Sequence, residues 1–218
     1  MHFYKFYEIV GPAILFPLAI FLWWSTGNAN IHVTIYAVGM PVTAGFVIPY
    51  IGIRFLHIWE IRSRMSHEGF RPHHGMMFGS ATSVICWLVY QSVTNLTDHS
   101  ATWVLPVAIG STIGLINFLF DIYAIKQGIL IVFNRSFAQN KSAVHIALQY
   151  APVFFTSFGI AYGYELQHLL AGIQETDLAF HYTRMLISLL ISPLATEITH
   201  WIVYRESCLK SYKHLVKQ

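Results

Sequence analysis

Charge is scarce in this chain: Asp, Glu, Lys and Arg make up 11% of 218 residues, against 55% hydrophobic and 16% aromatic. A soluble domain carries roughly 25% charged residues, so the composition excludes an ordinary soluble fold and points to a chain built for a bilayer. Cysteine is rarer still. Cys86 lies between Ile85 and Trp87 inside an apolar run and Cys208 lies in the basic tail, so the two are expected at different depths and exclude a disulfide framework. Low-complexity and linker stretches are lacking, which argues for a single polytopic membrane domain over 1–218. Signal-peptide features are lacking too. The opening MHFYKFYE is short and aromatic with no small-residue cleavage site after it, so the first apolar run is expected to stay as a transmembrane helix. There is no P-loop, no dinucleotide fingerprint, no H-E-x-x-H and no desaturase-like set of histidine boxes.

What is present is a set of six apolar runs, at about 9–25, 33–58, 76–96, 102–126 (extendable to 133), 143–172 and 179–204. Each is near the roughly 20 residues needed to cross the hydrocarbon core. The expected fold is therefore all-α and integral to the membrane: a bundle of six transmembrane helices.

Charge asymmetry orients it. Lys5, Arg54, Arg62, Arg64, Arg71, Lys126, Arg135, Lys141, Arg205, Lys210, Lys213 and Lys217 fall in or beside the N-terminus, 59–75, 127–142 and the tail after 204. Only Arg184 falls on the other side, and the loops STGNANIH, NLTDHSAT and GIQETDL contain no lysine or arginine. The positive-inside rule predicts that both termini are cytoplasmic. The formal charge of +3 then reports topology, with no compact basic patch to suggest nucleic acid.

Small residues predict how the helices meet. Gly75/Gly79, Gly110/Gly114 and Gly159/Gly163 each fit Gly-x-x-x-Gly, which lets helix backbones approach closely in lipid. The expected partners are the lipid bilayer and, through one of these faces, a second copy of the chain or another membrane subunit. Pro41, Pro49, Pro152 and Pro193 lie inside apolar runs and predict kinks or freed carbonyls.

Runs two, four and six close on one pattern: HIWEIR from His57, DIYAIK from Asp121 and HWIVYR from His200. The aromatic and basic members need only an aromatic belt and a basic anchor. The leading titratable residues need more. His57, Glu60, Asp121, Glu197 and His200 are expected in one layer near the cytoplasmic end, with His57/Glu60 and Glu197/His200 each sharing a helix face at i, i+3. His145, His73 and His74 are secondary candidates at the same level, and Arg54 is placed to pair with Asp121 or Glu197. Glu165 and His168 form a polar pair near the outer end of run five, roughly 20 Å along the bundle from Glu197 and His200. That depth excludes joining the two Glu-x-x-His pairs into a di-iron site.

Two function classes follow. In the first, this is a multi-pass protein of the inner or plasma membrane that transports, or forms the membrane part of a transport machine, using titratable residues on its cytoplasmic side. In the second, it is a membrane metalloenzyme acting on a lipid or quinone, with iron, zinc or manganese held by His57, Glu60, Glu197 and His200. Haem is disfavoured, because His145 and His168 would be roughly 34 Å apart along a helix. An intramembrane serine dyad of Ser111 and His200 fails on depth. Whether the chain is an enzyme stays open at this stage.

Overall fold

The structure, a computed structural model, describes residues 2–28, 30–96, 103–171 and 178–215. The loop stretches at 97–102 and 172–177 and the tail residue Lys217, which enter the charge argument, lie outside the described residues, as do the side chains of Lys5 and His181.

Prolines shape the first two long helices. α1 (His2–Val10) passes through a wide π turn at Gly11–Leu15 into α2 (Phe16–Thr26). Likewise α3 (Ile31–Thr34) passes through a second at Ile35–Gly39 into α4 (Met40–Arg54). Pro17 and Pro41 directly follow these turns. A proline ring crowds the carbonyl four residues back and donates no hydrogen bond to it, and a wider turn relieves that crowding. Pro41 thereby frees the Ala37 carbonyl, which accepts from Ser83 Oγ at 2.8 Å and from Tyr162 Oη at 2.7 Å. The kink expected in the second run has become a junction of three helices, in which an orphaned backbone group is satisfied by its neighbours.

Next come α5 (His74–Leu96), α6 (Val104–Lys126), two short helices α7 (Arg135–Ala138) and α8 (Ala143–Leu148), then α9 (Ala151–Leu170) and α10 (Leu178–Tyr204). Among the described residues five segments are long and apolar enough to cross a bilayer: Phe6–Thr26, Ile31–Arg54, His74–Asn95, Val104–Lys126 and Thr183–Tyr204. α9 has the length, about 30 Å at 1.5 Å per residue, but is less apolar than the five. Its position explains this. It packs against α6, α8 and α10 and touches α3, and Tyr164 is its only exposed residue. A helix enclosed by protein can carry polar side chains that one facing lipid cannot. α10 shows the opposite: Leu186, Leu190, Leu194, Ile198 and Ile202, at i+4 spacing, form an exposed apolar stripe. Such a patch suits hydrocarbon and would be a liability in water.

The three Gly-x-x-x-Gly pairs are all used inside the chain. A Cβ on Gly159 would lie 2.7 Å from Gly110 Cα, and one on Gly163 would lie 2.9 Å from Pro106 Cα, so α6 and α9 meet nearly backbone to backbone. Gly79 lies equally close to the Val42 backbone and Gly75 to the Phe46 ring, docking α5 on α4.

At one end of the bundle the connecting segments are tied together. β1 (Trp59–Ile61) pairs antiparallel with β2 (Leu130–Val132), Trp59 opposite Val132 and Ile61 opposite Leu130. The tail joins them: the Tyr212 N–H donates to the Phe133 carbonyl at 2.8 Å, and Ser211 Oγ donates to the His57 carbonyl at 2.5 Å. The N-terminal helix is fixed nearby, where Tyr7 Oη donates to the Met77 carbonyl at 2.8 Å and Glu8 pairs with Arg71 at 3.1 Å. Segments expected on one side from their charges therefore do meet at one end.

Several boundaries differ from expectation. The second run stops being helical at Arg54, so HIWEIR is a turn and a strand, and its resemblance to DIYAIK and HWIVYR ends with the letters. The fourth run closes at Lys126 and continues as β2, not as helix to 133. The fifth is broken at Gln149–Tyr150, with Pro152 in the first turn of α9, where its missing N–H costs nothing.

The Glu8–Arg71 pair yields a test of this frame. Arg71 is fully buried and Glu8 is 7% exposed, so removing the carboxylate leaves a buried guanidinium without its counter-charge. Glu8→Ala is expected to cost about 3 kcal/mol, in the range found for breaking buried pairs, read as unfolding of the micelle-solubilised protein. Glu8→Ala with Arg71→Met should recover part of that loss.

Candidate functional site

Asp121 is the acid that the fold sets apart. It sits on α6, is 8% exposed, and accepts a 2.6 Å hydrogen bond on Oδ2 from the hydroxyl of Tyr150. Tyr150 occupies the break between α8 and α9, with backbone angles outside the helix (φ −139, ψ −43). Two side-chain bonds hold that break. Asn134 Nδ2 donates to the Ile146 carbonyl at 2.8 Å, and the Ser136 N–H donates to Gln149 Oε1 at 3.2 Å.

The pair lines a cavity of about 330 Å³ enclosed by α4, α5, α6, α9 and the strand pair. Its wall is mostly aromatic and aliphatic, with Tyr7, Trp59, Phe78, Phe120, Phe154 and Phe158 among the rings. Polar groups are few: besides Asp121 and Tyr150 there are Asn117, Thr82 and His74. Asn117 Nδ2 donates to the Ile113 carbonyl at 3.0 Å, and His74 Nδ1 is buried without a hydrogen-bond partner among the described residues. This is the composition of a small-molecule site: an apolar body with a few convergent polar atoms.

A second cavity of about 300 Å³ lies between α4, α10 and the tail. Ile48, Trp59, Tyr150 and Phe154 line both cavities. The Trp59 ring stands 6.2 Å from that of Tyr150 and 6.5 Å from that of Phe154, so the three rings form the partition. Gly52 sets Trp59 in place, because a Cβ there would fall 2.6 Å from Cε3 of the indole.

The expected layer of five titratable residues is not one cluster. His57 follows the helix end in a left-handed conformation (φ 52), and its Nδ1–H donates to the Ile53 carbonyl at 3.1 Å. Glu60 lies on β1 and accepts from Arg62 Nε at 2.7 Å, so it shares no helix face with His57. Glu197 and His200 do share α10, but each is engaged by the tail. Glu197 Oε2 accepts the Cys208 N–H at 2.8 Å, and His200 Nδ1–H donates to the Glu206 carbonyl at 2.9 Å. Among the described residues no three His, Cys, Asp or Glu side chains converge as a metal-binding group.

The secondary candidates have local explanations. Arg54 pairs with Glu68 of the following loop, not with Asp121 or Glu197. That guanidinium holds the exposed Glu68 carboxyl below its ordinary range, chiefly by hydrogen bonding. Burial, then the neighbouring Arg71, pushes the His73 imidazole below its usual range, which favours the neutral ring. His145 lies on the exposed side of α8, 2.9 Å from Ser142 Oγ. Glu165 pairs with Arg184 at 2.5 Å, and the His168 ring leans edge-on against Tyr164 at 4.5 Å.

Charge pairing separates Asp121 from the rest. Among the described acids Glu8, Glu60, Glu68, Glu165 and Glu206 each pair with an arginine or lysine. Glu197 receives a backbone N–H. Asp121 has a tyrosine hydroxyl and no basic residue in its cavity wall. Sequence reasoning picked out Asp121 as an acid within a run but missed Tyr150 and Trp59, whose only signal was an aromatic at a helix break and another in HIWEIR.

Fold and site together define a helical protein of membrane-spanning type with an acid-bearing internal cavity. No protein-family model matches the chain, and no curated protein or solved structure matches it.

Cys208 offers a direct check on the tail's docking. Burial, then the Glu197 carboxylate, pushes its thiol up to about 12. Only the thiolate reacts readily, and a free cysteine titrates near 8.5. Alkylation at pH 8 is therefore expected to run more than about tenfold slower than for an unhindered thiol, and to speed up when the tail is detached by denaturant.

Proposed function

We propose that this is a six-span carrier of the inner or plasma membrane, with both termini cytoplasmic and α9 as the central, protein-enclosed span. It takes a small lipophilic solute into the cavity beside Asp121 and exchanges it against a proton. The observation that carries this reading is Asp121 itself: a buried carboxylate, on a cavity wall, whose one hydrogen-bond partner among the described residues is the Tyr150 hydroxyl. An isolated charge in an apolar interior is costly and is neutralised by a proton or by a cation that comes to it. A group that accepts one or the other, but not both, is what solute–proton exchange requires.

The tied end of the bundle supports the topology. Arg54, Arg62, Arg71, Lys126, Arg135, Lys210 and Lys213 lie on segments that hydrogen-bond together or flank those that do, and an excess of basic residues marks the cytoplasmic side. The metalloenzyme alternative draws no support from the described residues, where no ligand trio forms.

The test is proton movement in liposomes containing the purified protein and an entrapped pH-sensitive dye. Lipophilic amines, quinols and neutral aromatics are supplied outside in turn. At least one class should drive a proton flux that Asp121→Asn abolishes while the variant still inserts and unfolds cooperatively. Flux of equal size through Asp121→Asn, or no flux with any class, would end the carrier reading. Stoichiometric iron, zinc or manganese in the purified protein, lost from a Glu197→Ala/His200→Ala variant, would favour the enzyme.

A further inference from the structure

We infer that the ligand of the Asp121 cavity is a lipophilic organic monocation, an amine or quaternary ammonium on an aromatic or branched aliphatic body. The location of the site is shared with the carrier reading, and the ligand's charge is the new element.

The wall decides the sign of the ligand. Among the described residues it contains one carboxylate, Asp121, and neither lysine nor arginine. An anionic ligand would meet that carboxylate with no lysine or arginine to offset it, and His74 as the one imidazole in the wall. A neutral ligand would leave a proton as the sole compensation for Asp121 and add nothing to the single hydrogen bond from Tyr150, although a carboxylate has about four acceptor sites to satisfy. A protonated amine satisfies both demands at once, because it compensates the buried charge and donates to its free oxygen; a quaternary ammonium compensates the charge alone.

The rings favour the same class. Tyr7, Trp59, Phe78, Phe120, Phe154 and Phe155 line the space. Aromatic faces attract a cation within about 6 Å of the ring, most strongly when it is desolvated, and rings around an acid are a recurring cage for ammonium groups. These rings equally bury an apolar body, and about 330 Å³ is enough for one ring with small branches.

The entrance supports lipophilicity. Ile116 lines the cavity and is 40% exposed on the surface of α6. It lies about midway along that helix, on a surface that also exposes Leu115 and Leu119. The cavity therefore reaches the side of the bundle that faces hydrocarbon, where a lipophilic cation partitions and a hydrophilic one does not.

The experiment measures binding without transport. Full-length protein in maltoside micelles is dialysed to equilibrium against labelled 4-tert-butylbenzyltrimethylammonium, its neutral isostere with carbon in place of nitrogen, and 4-tert-butylbenzoate. Protein-free micelles are subtracted. The cation is expected to be retained at least about tenfold better than either partner, as a desolvated cation–ring contact together with a carboxylate would give. Asp121→Asn should reduce the cation to the level of the neutral isostere, and Asp121→Glu should keep the preference. Ala81→Leu, which fills the cavity from α5, should weaken both cation and isostere. Equal retention of cation and isostere by the wild type overturns the inference, as does a preference that survives Asp121→Asn. If Asp121→Asn does not fold, the wild-type ratio decides alone. Cation preference without proton flux in liposomes would end the carrier reading and leave the ligand class standing. Proton-coupled flux of a neutral solute, with no cation preference, would do the reverse.

Discussion

The backbones of α6 and α9 touch at Gly110 and Gly159, and most of the interior follows from that contact. The two helices run antiparallel in a fixed register: Pro106 faces Gly163, Gly110 faces Gly159, and Gly114 faces Thr156. Two turns further along α6 comes Asp121, opposite Tyr150 where α9 begins. The hydrogen bond between them is thus a consequence of helix register, set by small residues up to about four turns away. In lipid, where apolar side chains gain nothing by leaving hydrocarbon for one another, such close van der Waals contact is a main source of helix association. It also explains the polarity of α9. A helix held this tightly against its neighbours shows little of itself to lipid, so Glu165, Gln167 and His168 are tolerated at its end.

The tied end of the bundle adds a second constraint. A pair of three-residue strands would not hold by itself, but β1 and β2 each leave the end of a long helix and are joined by the tail at Phe133 and His57. Their shared effect is to fix Trp59. The indole lies over Gly52 and beside Tyr150, so the strand pair supplies one wall of a cavity that continues between the helices. Loop and bundle are parts of one site.

Much of this was readable from residues, for reasons that can be named. Apolar runs mark helices because the hydrocarbon core permits no unsatisfied backbone over its thickness. The grouping of basic residues anticipated which segments meet, because each lies beside a helix end at the same end of the bundle. Gly-x-x-x-Gly pairs marked close helix contacts, though not that each would be used within the chain, since small residues specify an approach and no partner. Asp121 stood out because an acid inside an apolar run needs compensation. What failed was local register. HIWEIR looks helical until Ile131, some 70 residues away, is known to pair with Glu60. Arg54 was assigned a distant carboxylate because the turn that brings Glu68 back to it leaves no periodic trace. Tyr150 could not be separated from eleven other tyrosines, because its role depends on the break before α9.

The arrangement of charge and cavity then narrows to one side chain. Pairs such as Glu60–Arg62 and Glu206–Lys210 lie at the wet end of the bundle, where exposed ion pairs contribute little. Asp121 lies in the interior with a hydroxyl where the others have a cation. That hydroxyl belongs to a ring which, with Trp59 and Phe154, divides the two cavities. Holding the carboxylate and closing the partition are therefore one geometric condition.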